Sequence, residues 1–315
     1  MLTKDKEHSG QSFRAALFRL DYGNRCWGPQ NKNLTMISVI IPAHNESSVI
    51  ARTLTAITSG AEPGELDVIV VCNGCSDNTA EVARQFGPQV QVIETDLASK
   101  PHALNLGEEK AQGFPRIYVD ADVLMTVEGI RALAQHLRQG RILAVAPTPA
   151  FDLAGCSWAV RACYGIRALL PSSNEGIGGS GVYALSEAGR ARFSEFPAVT
   201  ADDGYVRIQF RAEERETIPS VTSTVFPPRN LEQLIATKTR AHYGSLQLAS
   251  RFPKLWQNRG ESNHKALIHL FRDPRLWAKL AVYCLVTAIA KYRAKARLRT
   301  ATVAWERDNT SRAIA

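Results

Sequence analysis

The chain has 315 residues, of which 45% are hydrophobic and 22% are charged, and this composition excludes disordered and fibrous proteins. Six cysteines are too few for a disulfide-stabilised scaffold of this length. The first ten residues are polar and charged, unlike a secretory signal peptide. We therefore expect an intracellular protein that is not secreted.

The net charge of +8 is unevenly distributed along the chain. Residues 1–237 contain 22 Lys and Arg against 26 Asp and Glu, whereas residues 238–315 contain 16 against 4. This asymmetry predicts a C-terminal surface that contacts an anionic partner, either a membrane or a nucleic acid. Because no recognised nucleic-acid motif or aromatic-interleaved basic platform accompanies the charge, we favour a membrane and expect no nucleic acid.

Residues 1–35 carry one short apolar pattern and are interpreted as an N-terminal extension. From residue 37, short β-branched runs alternate with stretches that have helical character. The predicted strands cover residues 37–43, 66–71, 90–94, 116–120 and 142–147, and the predicted helices between the first four cover residues 47–59, 77–86 and 100–113. This alternation is typical of an α/β domain in which helices flank a mostly parallel sheet.

After the fifth predicted strand the pattern is less regular. Helices are predicted near residues 158–170, 203–214 and 231–243, with a glycine-rich loop over residues 172–181. Residues 276–290 are apolar except for Lys279, and five basic residues with no acid follow directly. The uninterrupted apolar run is much shorter than the ~20 residues that span a bilayer, so we expect attachment to an anionic membrane surface. The alternative is a buried C-terminal helix with a solvated basic end.

Polar clusters follow the first four predicted strands, at residues 44–46, 73–77, 96–100 and 120–122. In an open α/β sheet these positions lie at one edge, where ligands bind. Asp120 and Asp122 are two residues apart at a strand end, which places both carboxylates on one side. This arrangement suits a divalent cation that also binds a diphosphate. The alternative is a turn with solvated aspartates.

Five motifs in a fixed order resemble the family-two glycosyltransferases with the GT-A fold. They are VIIPAHNE at residues 39–46, SKPHALNLG at 99–107, DAD at 120–122, GIGGSG at 176–181 and the acidic pair at 202–203. The resemblance covers residues 36–245, which we interpret as one GT-A-like domain followed by a basic helical segment over residues 246–315. It implies transfer of a sugar, with inversion, from a nucleotide-diphosphate sugar to an acceptor hydroxyl.

The resemblance also implies roles for individual residues. Asp203 is the candidate base that takes the proton of the acceptor hydroxyl, and Asp202 is its orienting neighbour. Asp122, assisted by Asp120, would hold Mn²⁺ or Mg²⁺. The implied contacts of the nucleotide sugar are Pro42, Ala43, His44, Glu46, Asn73, Lys100, Asp120, Ala121, Asp122, Lys238 and Arg240, and those of the acceptor loop are Gly178, Gly179 and Ser180. The alternatives are a helix N-terminus that favours acids at residues 202–203, and a solvated basic helix face at residues 238–240.

The sequence departs from the family pattern after the second strand, where Cys72 and Asn73 replace the usual paired aspartates. An amide donates as well as accepts, so the nucleotide base stays open among uridine, guanosine and thymidine. Cys72 and Cys75 also form a CxxC motif, which elsewhere indicates zinc or redox chemistry. No second cysteine pair has workable zinc spacing, and we interpret both residues as buried small side chains.

We therefore predict a metal-dependent glycosyltransferase at the cytoplasmic side of the plasma membrane, acting on a lipid-linked or cell-envelope acceptor. A nucleotidyltransferase is the competing enzyme class, but it would show a glycine-rich, basic loop after the first strand, and AHNESS has neither feature. A nucleotide-sugar-binding protein without activity is the non-enzymatic alternative.

Overall fold

A computed structural model describes residues 36–173, 176–260, 262–300 and residue 310. The predicted N-terminal extension, residues 1–35, lies outside the described residues. The described chain forms one seven-stranded sheet in the order β3-β2-β1-β4-β6-β5-β7. The strands are β1 (Ile37–Ala43), β2 (Leu66–Asn73), β3 (Val90–Thr95), β4 (Arg116–Val119), β5 (Ala144–Phe151), β6 (Val182–Leu185) and β7 (Arg215–Val225).

Ten α-helices connect and flank these strands in the described residues. They are α1 (Ile50–Thr58), α2 (Thr79–Arg84), α3 (Lys100–Lys110), α4 (Val127–Arg138), α5 (Trp158–Arg167), α6 (Glu187–Arg190), α7 (Asp202–Ile208), α8 (Leu231–Arg251), α9 (His264–Leu270) and α10 (Trp277–Thr300). Side chains at the first residue outside several helices cap them, as Thr126 does by accepting from the backbone N–H of Gly129.

The predicted α/β class with a mostly parallel sheet is confirmed. β1 pairs in parallel with β2 and β4, and β5 pairs in parallel with β7, whereas β6 runs antiparallel to both of its neighbours. The sequence analysis missed β6, which has four residues, and β7, which carries Pro219 and alternates buried with exposed positions at a sheet edge. The predicted helix over residues 203–214 is too long, because α7 ends at Ile208 and a strand begins at Arg215.

Two apolar layers cover the two faces of the sheet. Helices α1, α2 and α4 pack on one face through residues such as Leu54, Ala83 and Ile130, all fully buried. Helices α3, α7 and α8 pack on the other face through Leu104, Val206 and Leu248. Strands β1, β2 and β4 are almost entirely buried on both sides, which explains their runs of apolar, mostly β-branched residues. The carboxyl ends of these strands are thus held by a packed layer.

The C-terminal helices close over the side of the domain. α8 is longer than predicted and passes through the predicted boundary between residues 245 and 246. α10 is also longer than the predicted residues 276–290, and it packs against α5 and α8. Among the described residues, none of the helices combines the length and apolar character that crossing a membrane requires.

Candidate active site

The loops after β1 and β2 are joined by side-chain hydrogen bonds. Asn73 donates from Nδ2 to the carbonyl of Ala43 at 2.9 Å, and its own carbonyl lies 2.6 Å from Nδ1 of His44. Asn45 adopts a left-handed backbone with φ of 54°, and its Oδ1 accepts from the backbone N–H of Ser76 at 2.7 Å. The side-chain amide of Asn73 therefore fixes the end of β1, and its backbone carbonyl orients the ring of His44.

The Asp120-Ala121-Asp122 loop after β4 is anchored through its backbone. The N–H of Asp120 donates to the carbonyl of Gly181 at 2.8 Å, and the hydroxyl of Thr53 donates to the carbonyl of Ala121 at 2.8 Å. Arg52 reaches the carbonyl of Asp122 at 3.5 Å. These bonds anchor the loop through its backbone, and Asp120 and Asp122 both line a cavity at this edge of the sheet.

Lys100, at the first position of α3, links the strand-end carboxylate to the acidic pair. Its Nζ lies 2.7 Å from Oδ1 of Asp120 and 3.0 Å from Oδ2 of Asp202. Asp202 is the buried member of the pair, with a residue exposure of 5%, whereas Asp203 is partly exposed. The salt bridges of Lys100 therefore hold the end of β4 and the first turns of α3 and α7 together at one point.

Burial and neighbouring charges shift both ionisable groups of this cluster. Burial disfavours the ammonium of Lys100, but the carboxylates of Asp120 and Asp202 outweigh it and raise the pKa of Lys100. Burial raises the pKa of Asp202 to about 6, with the attraction of Lys100 opposing this and the charge of Asp203 adding to it. Asp202 thus exchanges a proton close to neutral pH, as groups at functional sites often do.

The glycine-rich loop before β6 approaches these carboxylates closely. Gly181 has φ of 66°, and a side chain there would overlap Val123 and lie 3.4 Å from Oδ2 of Asp120. Gly179 has φ of 77°, and a side chain there would overlap the guanidinium of Arg167. Both positions require glycine for backbone conformation and for space. The loop therefore forms a wall of the site.

A cavity of about 290 Å³ lies over the ends of β1, β2 and β4. It is lined by most of the residues predicted for the nucleotide sugar, by Gly179 of the predicted acceptor loop and by the candidate base. These are Pro42, His44, Glu46, Asn73, Lys100, Asp120, Ala121, Asp122, Gly179, Asp203 and Arg240. We call this space the donor cavity. The predicted convergence of the strand-end clusters is present in the structure, and Asp203 faces the same cavity as Asp120 and Asp122.

A second cavity, of about 440 Å³, lies beyond the acidic pair, and we call it the acceptor-side cavity. Asp202, Asp203, Lys100 and Arg240 border it as well. The remaining wall includes Arg207, Trp256, Arg259 and Ser172. Asp203 and Arg240 border both cavities, so a group held in one can reach a group held in the other at this point.

Residues 38–167 match the family model described as Glycosyl transferase family 2. Over this segment the chain is similar to the family 2 glycosyltransferases. This confirms the resemblance found in the sequence motifs.

Curated relatives align over a short part of the chain. Glycosyltransferase AglE of Haloferax volcanii is 37% identical over 94 residues, which is 28% of this chain and 31% of that protein. The 4,4'-diaponeurosporenoate glycosyltransferase of Staphylococcus aureus is 37% identical over 97 residues, which is 30% of this chain and 25% of that protein. The aligned segments thus span about a third or less of these relatives' own length.

Solved structures share the fold of this chain at low sequence identity. A mannosyltransferase from Pyrobaculum calidifontis, in complex with GDP-Man and Mn²⁺, superposes with a TM-score of 0.54 at 20% identity, covering 87% of this chain and 76% of that one. Glucosyl-3-phosphoglycerate synthase from Mycobacterium tuberculosis gives a TM-score of 0.51 at 20% identity, covering 69% of this chain and 79% of that one. Both comparisons confirm the GT-A-like fold.

Some predicted site residues lie away from the cavities or have structural partners. Lys238 borders neither cavity, because its ammonium packs 4.7 Å from the ring centre of Tyr283 on α10. Burial and the charge of Arg167 lower the pKa of Lys238 to about 8. Ala43 is fully buried, and the hydroxyl of Ser180 donates to the carbonyl of Val182. Gly178 and Ser180 border a small recess next to Asp120 and Asp203.

Cys72 and Cys75 lie beneath the loops of the donor cavity. Their thiols hydrogen-bond to each other, which raises the pKa of Cys72 and lowers the pKa of Cys75 to about 6. Cys75 also accepts from the backbone N–H of Asn45 at 3.3 Å. Among the residues that the structure describes, no group of three or more His, Cys, Asp or Glu could hold a metal ion. The CxxC motif is therefore not part of a described zinc site.

The sequence analysis missed residues that complete the donor cavity. Tyr164 and Arg167 come from α5, Phe226 follows β7, and Thr237 lies one turn before Arg240 on α8. Arg167 donates to the carbonyl of Gly179 at 3.4 Å, and Arg52 stacks 3.9 Å from the ring centre of Phe226. Helical spacing was the available signal for Thr237, since residues three apart share a helix face. Phe226 follows β7, which was not predicted, and Tyr164 and Arg167 lie on a predicted helix whose packing against the cavity is a tertiary contact.

Proposed function

We propose that this chain transfers a sugar from a nucleotide-diphosphate sugar to an acceptor hydroxyl, with inversion at the anomeric carbon. The observation that carries the proposal is that Asp120, Asp122 and Asp203 border one cavity. The first two carboxylates suit a cation next to a diphosphate, and the third suits removal of a proton from a nucleophile. Direct attack by an acceptor hydroxyl on the face opposite the leaving diphosphate inverts the configuration.

The donor set at Asp120 and Asp122 fits Mg²⁺ or Mn²⁺. Mg²⁺ is usually bound by one or two carboxylates together with substrate phosphates, and a closed cage of protein ligands is not needed. The described residues offer this incomplete set and no larger one. When bound, a divalent ion would stabilise the negative charge that develops on the departing nucleotide diphosphate.

Each side chain at the site has a separate role in the proposed reaction. Asp203 accepts the proton of the acceptor hydroxyl as the new glycosidic bond forms and the bond to the diphosphate breaks. Asp202 and Lys100 hold the acidic pair and Asp120 in fixed positions through contacts of 3.0 and 2.7 Å. Arg240 borders both cavities and supplies positive charge near the diphosphate. His44 and Glu46 border the part of the donor cavity that would take the nucleoside.

We also propose that the acceptor is lipid-linked or part of a cell-envelope glycan, and that the protein acts at the cytoplasmic face of the plasma membrane. The support is the position of the acceptor-side cavity next to α8 and the basic C-terminal segment that follows it. The glycosyltransferase from S. aureus named above is a relative that acts, by its name, on 4,4'-diaponeurosporenoate.

Replacement of Asp203 by Asn tests the catalytic assignment. A panel of UDP-, GDP- and TDP-sugars with Mn²⁺ would be screened for release of the nucleoside diphosphate, with and without EDTA. Loss of a general base lowers the rate by about 10²–10⁴-fold. Nucleotide binding, followed by thermal shift, should be retained. Asp96→Asn, at an exposed aspartate outside both cavities, is the control that should keep full turnover. Full turnover by Asp203→Asn would show that Asp203 is not the base. Full turnover in EDTA would show that the reaction needs no divalent metal ion.

A further inference from the structure

Helix α10 has two apolar faces, and only one of them packs against the rest of the domain. Leu280, Val286, Ala290 and Ala294 lie on the face that packs toward α5 and α8, and each of them is buried. The spacing of these residues is close to the helical repeat, so they form one continuous stripe. This stripe is the part of α10 that belongs to the core of the domain.

The opposite face of α10 exposes large apolar side chains. Trp277 is 58% exposed, Leu285 is 62% exposed and Tyr292 is 77% exposed. They are separated by eight and seven residues, which places them on one side of the helix. Ile268 and Phe271, in and just after α9, are exposed to 53% and 49%. We call these five residues the α9–α10 surface.

The segment that carries this surface is strongly basic. Residues 262–300 contain nine Lys and Arg against one acid, Asp273. Eight of the nine are exposed, and these are Lys265, Arg272, Arg275, Lys279, Lys291, Arg293, Lys295 and Arg299. Exposed aromatic and aliphatic residues within a basic rim are the combination that binds the interface of an anionic bilayer. A cluster of large apolar side chains that stays exposed to water is otherwise unfavourable.

We propose that the α9–α10 surface docks onto an anionic lipid bilayer, with α10 lying in the plane of the membrane. Trp277, Leu285 and Tyr292 would enter the headgroup region, and the basic rim would contact lipid phosphates. The 24 residues of α10 extend over about 36 Å at the helical rise, so the contact is long. The packed stripe keeps α10 attached to α5 and α8 while the other face meets lipid.

The α9–α10 surface is connected to the acceptor-side cavity. Asn263, just before α9, donates from Nδ2 to the hydroxyl of Ser172 at 2.8 Å. Ser172 borders the acceptor-side cavity, as do Trp256 and Arg259 from the segment that leads to α9. If the proposed function holds, docking therefore brings the acceptor-side cavity close to the membrane surface, where a lipid-linked hydroxyl would be available.

Vesicle binding tests the docking surface directly. The full chain would be sedimented with vesicles of phosphatidylcholine alone or mixed with phosphatidylglycerol, at low and high salt. We expect binding to the mixed vesicles that weakens with salt. Leu285→Glu with Tyr292→Glu should weaken it by at least about tenfold, since two apolar side chains no longer enter the interface. Leu97→Glu, at an equally exposed leucine outside the surface, is the matched control and should bind like the wild type.

A fluorescent label on Cys284, which is exposed beside Leu285, reports insertion by a blue shift on vesicles. Circular dichroism and urea unfolding show whether the variants remain folded. Equal binding by the Leu285→Glu, Tyr292→Glu variant and the wild type would overturn the proposal, as would concentration-dependent dimerisation that this variant abolishes without any vesicle binding. Donor turnover without vesicles should be the same in all these proteins, so loss of docking is distinguishable from failure of the proposed function.

Discussion

Replacing Asp202 by Asn should change how the stability of the domain depends on pH. Burial raises the pKa of Asp202 from 3.8 to about 6 in the folded protein. Between these values the folded state binds a proton that the unfolded state has lost, so stability falls as pH rises through this window. One unit of pKa difference corresponds to about 1.36 kcal/mol, so the free energy of unfolding falls by about 3 kcal/mol in total. This loss is complete above pH 6.

Asn carries no such proton, so the difference in unfolding free energy between Asp202→Asn and wild type should increase by about 3 kcal/mol from pH 4 to pH 7. The assay is urea unfolding at half-unit pH intervals, with a common slope for both proteins. Lys100→Met should extend the window to higher pH, because the ammonium that lowers the pKa of Asp202 is removed. A difference that stays constant across the range would refute the assignment of a buried, partly protonated carboxyl at this position.

Three further predictions concern other parts of the structure, and each is tested by urea unfolding. Gly181→Ala should lower the free energy of unfolding by about 1–3 kcal/mol more than Gly64→Ala does. Both glycines have a left-handed φ, but only at Gly181 would the added methyl group meet a neighbouring side chain. Equal losses would contradict the packing described for the loop. Arg131→Met should lower the free energy of unfolding by about 3–5 kcal/mol. The substitution leaves the buried carboxylate of Glu65 without the guanidinium that donates to it at 2.6 and 2.7 Å. A loss below about 1 kcal/mol would show that this pair behaves like an ordinary surface salt bridge. Leu280→Ala should cost about 2–5 kcal/mol and Leu285→Ala less than about 0.5 kcal/mol, and the reverse order would show that the faces of α10 are assigned incorrectly.

The first half of the domain could be predicted from the sequence because its local signals agree. β1, β2 and β4 are buried on both sides and read as continuous β-branched runs, and each is followed by polar residues at one edge. Parallel pairing then brings Asn73 and Asp120 to the same cavity without any further information. This is why most of the predicted donor contacts lie together.

The second half depends on tertiary contacts that a local pattern does not carry. β6 is short and antiparallel, and β7 is an edge strand whose alternation is interrupted by proline. Lys238 and Arg240 were assigned as one cationic motif, yet residues two apart on a helix point to different sides. The structure accordingly directs Arg240 to the cavities and Lys238 to Tyr283.

The reversed direction of β6 has a consequence for how such a site can diversify. A parallel strand contributes to the ligand-binding edge only with the loop that leaves it, whereas β6 contributes the loop that enters it, residues 176–181. The wall formed by this loop and the carboxylates that follow β4 therefore come from separate stretches of chain that meet only in space. A change of sequence in the loop can reshape the donor cavity without altering Asp120 or Asp122.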